Sequence, residues 1–182
     1  MNTQILDNIF SEKELFFIYR QIITSPNWSI TGTTYKPDYP SNKIFSGCPQ
    51  LVVKGDNEPV IHYPFYLIGQ SIVYRIAKLL EEKKVGMNTE IERMWFNITY
   101  SNSDNHHLHP DDTIKDRQTI LLFMTPVWQT GWLGSFYVDG QEFEFKPGRA
   151  IIFDSTEFHV GDNPSKEIFG WHRLTCNFKV KV

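Results

Sequence analysis

The sequence holds six histidines, His62, His106, His107, His109, His159 and His172, and one of them opens a His-x-acid tripeptide, His109-Pro110-Asp111. In extended backbone, residues two apart project to the same side, so this imidazole and carboxylate can take neighbouring positions on one metal ion. His107 and His109 share that spacing and compete as a ligand pair; a carboxylate keeps the overall charge of a divalent site lower, which favours Asp111. A third donor is His159, which follows the strand-like run Arg149 to Phe153 and the polar turn Asp154 to Glu157. Two imidazoles and one carboxylate occupy one face of an octahedron and leave three positions open, the arrangement in which Fe(II) takes a bidentate cosubstrate and then O2. Arg173 adds a planar guanidinium that pairs with a carboxylate better than a lysine does. An ordinary ion pair with Asp162 or Glu167 is the competing use of that side chain. His106 and His107 are read as residues of a solvated loop, lining an entrance at most.

Positioning these groups falls to a β-rich second half. Met94, Phe96, Ile98 and Tyr100 alternate with Arg93, Trp95, Asn97 and Thr99, and further strand-like runs cover 117–125, 134–138, 141–145, 149–153 and 168–181. Asp139-Gly140 is a hairpin signature, and Pro147-Gly148 opens the next run. In the last run Leu174, Cys176, Phe178 and Val180 form an apolar face, and Arg173, Thr175, Asn177 and Lys179 form the other. If the apolar face packs under helices, Arg173 and Thr175 turn to the opposite side of the sheet and into any pocket there. The helices come from the first half. Ser11 with Glu14 is a capping box ahead of Leu15, Ile18, Ile22 and Ile23, predicting a helix over 11–24. Pro64 starts a second, with Ile68, Ile72, Ile76 and Leu79 as its stripe and Gly86 as its cap. Residues 28–56 read as loops and edge strands, with β-like runs at 28–31 and 51–54.

A chain of 182 residues with 41% hydrophobic and 15% aromatic residues can bury a core and is expected to form a single domain over 1–182. That balance excludes a disordered tail, a collagen-like repeat and a disulfide miniprotein. The net charge of -3 provides no broad basic field for a nucleic-acid backbone. Cys48 and Cys176 stand far apart, which suits a reducing compartment. With no apolar run near the roughly 18 residues of a membrane span and no basic, signal-like N-terminus, a cytoplasmic protein is expected.

These residues resemble the Fe(II)- and 2-oxoglutarate-dependent dioxygenases, and within them the prolyl-4-hydroxylase-like branch, over about residues 91–180. Tyr100 precedes His109 by the spacing that the branch uses between its cosubstrate-binding tyrosine and first metal ligand. The run from Thr119 through Pro126, with Trp128, looks like the next core strand, and Leu133-Gly134-Ser135-Phe136 stands where the family has a Gly-Gly-Glu-type segment. Pro147 through Phe153, followed by His159-Val160, resembles the strand and turn that deliver the distal histidine, and Arg173-x-Thr175 resembles the family's Arg-x-Ser. Two departures are Phe123, where the branch often has a tyrosine, and Leu133 in place of the first glycine.

The resemblance implies a double-stranded β-helix over 91–182, a jelly-roll or cupin-like barrel buttressed by N-terminal α-helices in 1–90. It implies Fe(II) on His109, Asp111 and His159, and 2-oxoglutarate held by Arg173, Thr175 and Tyr100. The implied reaction consumes O2 and 2-oxoglutarate, with ascorbate as reductant, and hydroxylates a C–H bond of a peptide, such as a prolyl residue, or of a small molecule. Trp95, Trp128, Trp132 and Trp171 are candidates for an aromatic mouth, and loops 30–50 and 101–108 for recognition. A non-catalytic cupin-like binding module is the alternative on the same architecture. A halogenase would ordinarily carry a small residue in place of Asp111.

Overall fold

The computed structural model describes residues 3–25, 50–53, 60–61, 63–82, 90–101, 107–168 and 171–181. Gly86, His62, His106, Cys48, the run at 28–31, residues 30–49 of the 30–50 loop and residues 102–106 of the 101–108 loop lie outside the described residues. The elements are β1 (Gln4–Leu6), α1 (Glu12–Ile23), β2 (Gln50–Val53), β3 (Val60–Ile61), α2 (Tyr63–Glu82), β4 (Ile91–Thr99), β5 (Arg117–Phe123), β6 (Phe136–Val138), β7 (Gln141–Phe143), β8 (Ala150–Asp154), β9 (His159–Gly161) and β10 (Arg173–Lys181). They build a seven-stranded sheet ordered β1-β8-β5-β10-β4-β2-β3 and a three-stranded sheet ordered β7-β6-β9. Every pairing among the described residues is antiparallel.

The helices cover one face of the large sheet. At the start of α1 the capping box is formed, with Ser11 Oγ accepting from the Glu14 amide at 3.3 Å and the Glu14 carboxylate accepting from the Ser11 amide at 2.8 Å. Two amides that the helix itself cannot satisfy are thereby paired. Leu15 and Ile22 of α1 and Ile72, Ile76 and Leu80 of α2 pack with Leu174, Cys176, Phe178 and Val180 of β10 in one cluster. Gly69 lets α2 come close: a Cβ there would collide with the Met94 side chain of β4. The opposite face carries Leu121, Phe123, Ile151 and Phe153, which meet Phe136, Val138 and Phe143 of the small sheet. Because both faces of β5 are covered, its burial is nearly continuous and the usual in-out alternation is lost. No helix among the described residues is long and apolar enough to cross a membrane.

Several strands are shorter than the sequence runs. Leu133 (φ 56°) and Gly134 (φ 82°) are left-handed, which delays β6 to Phe136. Asp139 (φ 50°) and Gly140 (φ 70°) form the expected tight hairpin between β6 and β7. β10 begins at Arg173, where pairing with Thr99 starts, and not at 168. Leu133 sits in a conformation that costs a Cβ-bearing residue about 1–2 kcal/mol, and its side chain is 62% exposed. Leu133→Gly is therefore expected to raise stability by about 0.5–1 kcal/mol, the strain relieved less the entropy of a freer unfolded chain. The midpoint of urea unfolding measures this; a loss above about 1 kcal/mol would mean the leucine packs productively.

His172, just ahead of β10, is stacked on Tyr19 of α1 with ring centroids 5.7 Å apart. The Tyr19 hydroxyl lies 3.1 Å from its Nε2. Burial pushes this imidazole down to about 4 from 6.5. Between those values the unfolded chain binds a proton that the folded chain does not. The associated stability, about 3 kcal/mol, is present above pH 6.5 and lost as pH falls toward 4. His159 is also held below its ordinary value by burial, so the test is comparative. Unfolding free energy should drop more steeply in wild type than in His172→Phe across that window, and parallel curves would refute the assignment.

Candidate active site

Trp95, Asn97 and Thr99 of β4 and Arg173, Thr175 and Asn177 of β10 face a cleft of about 70 Å³ between the sheets. Register explains the grouping: Arg173 pairs with Thr99, Thr175 with Asn97, and Asn177 with Trp95, and directly opposed residues share a face. All six line the cleft, together with Thr119, His109, Asp111, His159 and Gly161.

His109 and His159 are brought together by the backbone. The His109 amide donates to the His159 carbonyl at 3.1 Å, and the His159 amide to the His109 carbonyl at 3.0 Å. This two-residue bridge places both imidazoles on one side, with centroids 4.7 Å apart. Each ring is then fixed by the same local device: Nδ1 of His109 lies 2.6 Å from the His107 carbonyl, and Nδ1 of His159 lies 3.0 Å from the Glu157 carbonyl. A carbonyl only accepts, so both Nδ1 atoms carry the proton and both Nε2 atoms present lone pairs in the neutral rings. Asp111 Oδ1 lies 3.6 Å from His159 Nε2. One ligand atom from each of His109, Asp111 and His159 falls within 4.8 Å of the others. Burial disfavours protonation of His159, which leaves a lone pair facing a carboxylate oxygen, an arrangement that a cation satisfies and a neutral pair does not. The donor set fits a divalent metal.

Arg173 enters the same cleft with 3% of its surface exposed. Its Nε donates to the Gly134 carbonyl at 2.8 Å, its guanidinium carbon lies 5.5 Å from the centre of the Phe123 ring, and its Nη2 is buried without a hydrogen-bond partner. Burial lowers its pKa to about 10, with the Asp162 charge acting against that shift. Neither Asp162 nor Glu167 is ion-paired with it. Gly161 of β9 leaves room for the guanidinium, since a Cβ there would sit 3.0 Å from Nη2, tighter than ordinary van der Waals contact. Thr125 fixes the start of β10, its hydroxyl donating to the His172 carbonyl at 2.8 Å and accepting from the Leu174 amide at 2.9 Å. A buried cation with an unused donor, facing a cleft, is a receptor for an anionic oxygen.

Tyr100 is not brought to this cleft. It lies one residue beyond β4, 39% exposed, with its ring 5.7 Å from that of His172. Its parity is that of Ile98 and Phe96, while the cleft takes Thr99, Asn97 and Trp95. Trp128 lies elsewhere, stacked on Phe145 at 4.0 Å. Sequence reasoning passed over Thr99 and Asn97, which the β4 alternation already placed opposite Tyr100. It also passed over Gly161, Thr119 and Ser155, whose roles depend on contacts between strands remote in sequence.

No family model matches the chain, and no curated protein does. Among solved structures it is similar to a Burkholderia pseudomallei oxidoreductase of the 2OG-Fe(II) oxygenase family, at 15% identity and a TM-score of 0.67, covering 98% of this chain and 84% of that one. A Pseudomonas putida prolyl-4-hydroxylase matches at 14% and 0.61 (99% and 92% covered). The viral collagen prolyl hydroxylase of Paramecium bursaria Chlorella virus-1, in a 2OG complex, matches at 13% and 0.58 (100% and 97% covered). These likenesses establish a shared fold.

Proposed function

We propose that the chain is a non-haem Fe(II)- and 2-oxoglutarate-dependent dioxygenase, a single domain on a double-stranded β-helix, that hydroxylates a C–H bond of its substrate and releases succinate and CO2. The observation that carries this reading is the meeting, in one cleft, of a two-histidine, one-carboxylate donor set with a buried arginine whose Nη2 has no partner. His109, Asp111 and His159 would hold the iron. Arg173 and Thr175 would hold the far carboxylate of 2-oxoglutarate, with Thr99 as the β4 hydroxyl in reach of the cleft. When bound, iron supplies the redox chemistry that couples 2-oxoglutarate decarboxylation to hydroxylation.

The protein's own residues do the rest. The carbonyls of residues 107 and 157 keep the imidazoles in the metal-binding tautomer. The Gly134 carbonyl fixes the guanidinium, and Leu121, Phe136 and Phe153 keep the cleft wall apolar. A non-catalytic cupin-like module would have no use for a buried cation beside the donor set. As substrate we put a peptidyl proline first, because neighbouring folds include prolyl hydroxylases, one in complex with a hypoxia inducible factor peptide.

The test is succinate release from 2-oxoglutarate with Fe(II) and ascorbate. Turnover should vanish on chelation and return with Fe(II). The reading fails if wild type shows no turnover and His109→Ala binds iron as well as wild type. Peptide screening by mass spectrometry for gain of one oxygen atom then identifies the substrate.

A further inference from the structure

The two carboxylate oxygens of Asp111 are in different situations. Oδ1 lies 3.6 Å from His159 Nε2, whereas Oδ2 accepts a hydrogen bond from Thr119 Oγ1 at 2.8 Å. Thr119 Oγ1 is also 3.0 Å from Ser155 Oγ. A hydroxyl has one proton to give. With that of Thr119 committed to the carboxylate, Ser155 must be the donor to Thr119, and the direction of the relay is fixed. Both side chains are buried, at 1% and 0% exposure, which favours protein partners for these hydroxyls over bulk water. Ser155 grips the same segment a second time, its carbonyl accepting from the Asp112 amide at 2.9 Å. Thr119 stands on β5 opposite Phe153 of β8, and Ser155 immediately follows β8. Two paired strands therefore hold a carboxylate that itself lies outside any strand.

We propose that Thr119, backed by Ser155, is a positioning residue that ties up Oδ2 of Asp111 and presents Oδ1 to a cation shared with His109 and His159. This rests on reading those three residues as metal ligands. The requirement is for the hydroxyl and not for the bulk of the side chain. Serine at 119 should serve, and valine, which keeps the shape of threonine, should not.

The experiment measures Mn(II) affinity by calorimetry and the visible band of the Co(II)-loaded protein, on the full chain. Thr119→Val is expected to weaken Mn(II) by about 10–100-fold, the range for loss of a partner that orients a ligand, and to shift the Co(II) band. Thr119→Ser should restore both to within about threefold of wild type, and Ser155→Ala should weaken Mn(II) by roughly three- to tenfold. Thermal melts show whether each variant is folded; should Thr119→Val not fold, Ser155→Ala decides, and unchanged affinity there overturns the proposal. Thr119→Val binding Mn(II) like wild type, while Asp111→Ala does not bind, would refute the positioning role and leave the metal site standing. Asp111→Ala and His109→Ala binding Mn(II) like wild type would remove the metal site itself, and this inference with it.

Discussion

Asp111→Ala is expected to abolish 2-oxoglutarate turnover, by about a thousandfold or more, and to weaken divalent metal by more than about 100-fold while the chain stays folded. The lower bound follows from the loss expected when a partner that merely orients a ligand is removed, about 10–100-fold, which deletion of the ligand must exceed. Stability should respond far less. Asp111 makes a hydrogen bond to Thr119, worth about 1 kcal/mol net. Without a cation, however, its Oδ1 also faces a lone pair of His159 across 3.6 Å, so its removal relieves one repulsion as it breaks one attraction. The two outcomes are separable by thermal unfolding with and without Mn(II). At a thousand times its dissociation constant the metal should stabilise wild type by about 4 kcal/mol, and the variant should show no shift. Equal shifts in both proteins would remove Asp111 from the metal site.

The parity of β10 was the most legible part of the site. Leu174, Cys176, Phe178 and Val180 had to pack somewhere, and strand geometry then turned Arg173, Thr175 and Asn177 to the opposite face, where they line the cleft. The same rule applied to β4 would have chosen Thr99 and Asn97 over Tyr100. The family spacing pointed to the tyrosine, and β4 ends at Thr99, so the next ring turns to His172. Thr119 was visible as part of a β-run but not as a functional residue, because burial on both faces of β5 erases the alternation that would single it out. β9 has three residues and exists through its pairing with β6, and the tight contact that a Cβ at Gly161 would make is with Arg173. Contacts of that range have no local signature in one sequence. Leu133 is the converse case: the motif marked the position as one suited to glycine, and its φ of 56° shows that the backbone kept the conformation without the residue.

Arg173→Met should weaken 2-oxoglutarate by about 100–10,000-fold and leave the protein about as stable as wild type, a combination unusual for a side chain 3% exposed. The affinity loss follows from two charge-assisted hydrogen bonds to a carboxylate, each worth about 1.5–3 kcal/mol. The stability estimate has two opposed parts. Burial holds the guanidinium pKa down to about 10, so below that pH the folded state carries a charge it would rather not hold, at a cost of about 3 kcal/mol that methionine removes. Against this, the Gly134 carbonyl loses its donor from Nε, and an orphaned buried acceptor costs about 1–3 kcal/mol. The sum is near zero. An arginine serving a buried structural ion pair would behave oppositely, since breaking such a pair costs about 3–5 kcal/mol. Urea unfolding and the thermal shift produced by 2-oxoglutarate in the Mn(II)-loaded protein therefore decide between the two uses. A variant that unfolds returns Arg173 to the architecture of the sheets. One that folds as well as wild type, yet gains nothing from 2-oxoglutarate, identifies the unpartnered Nη2 as a donor kept for the cosubstrate, with folding stability given up at this position in favour of binding.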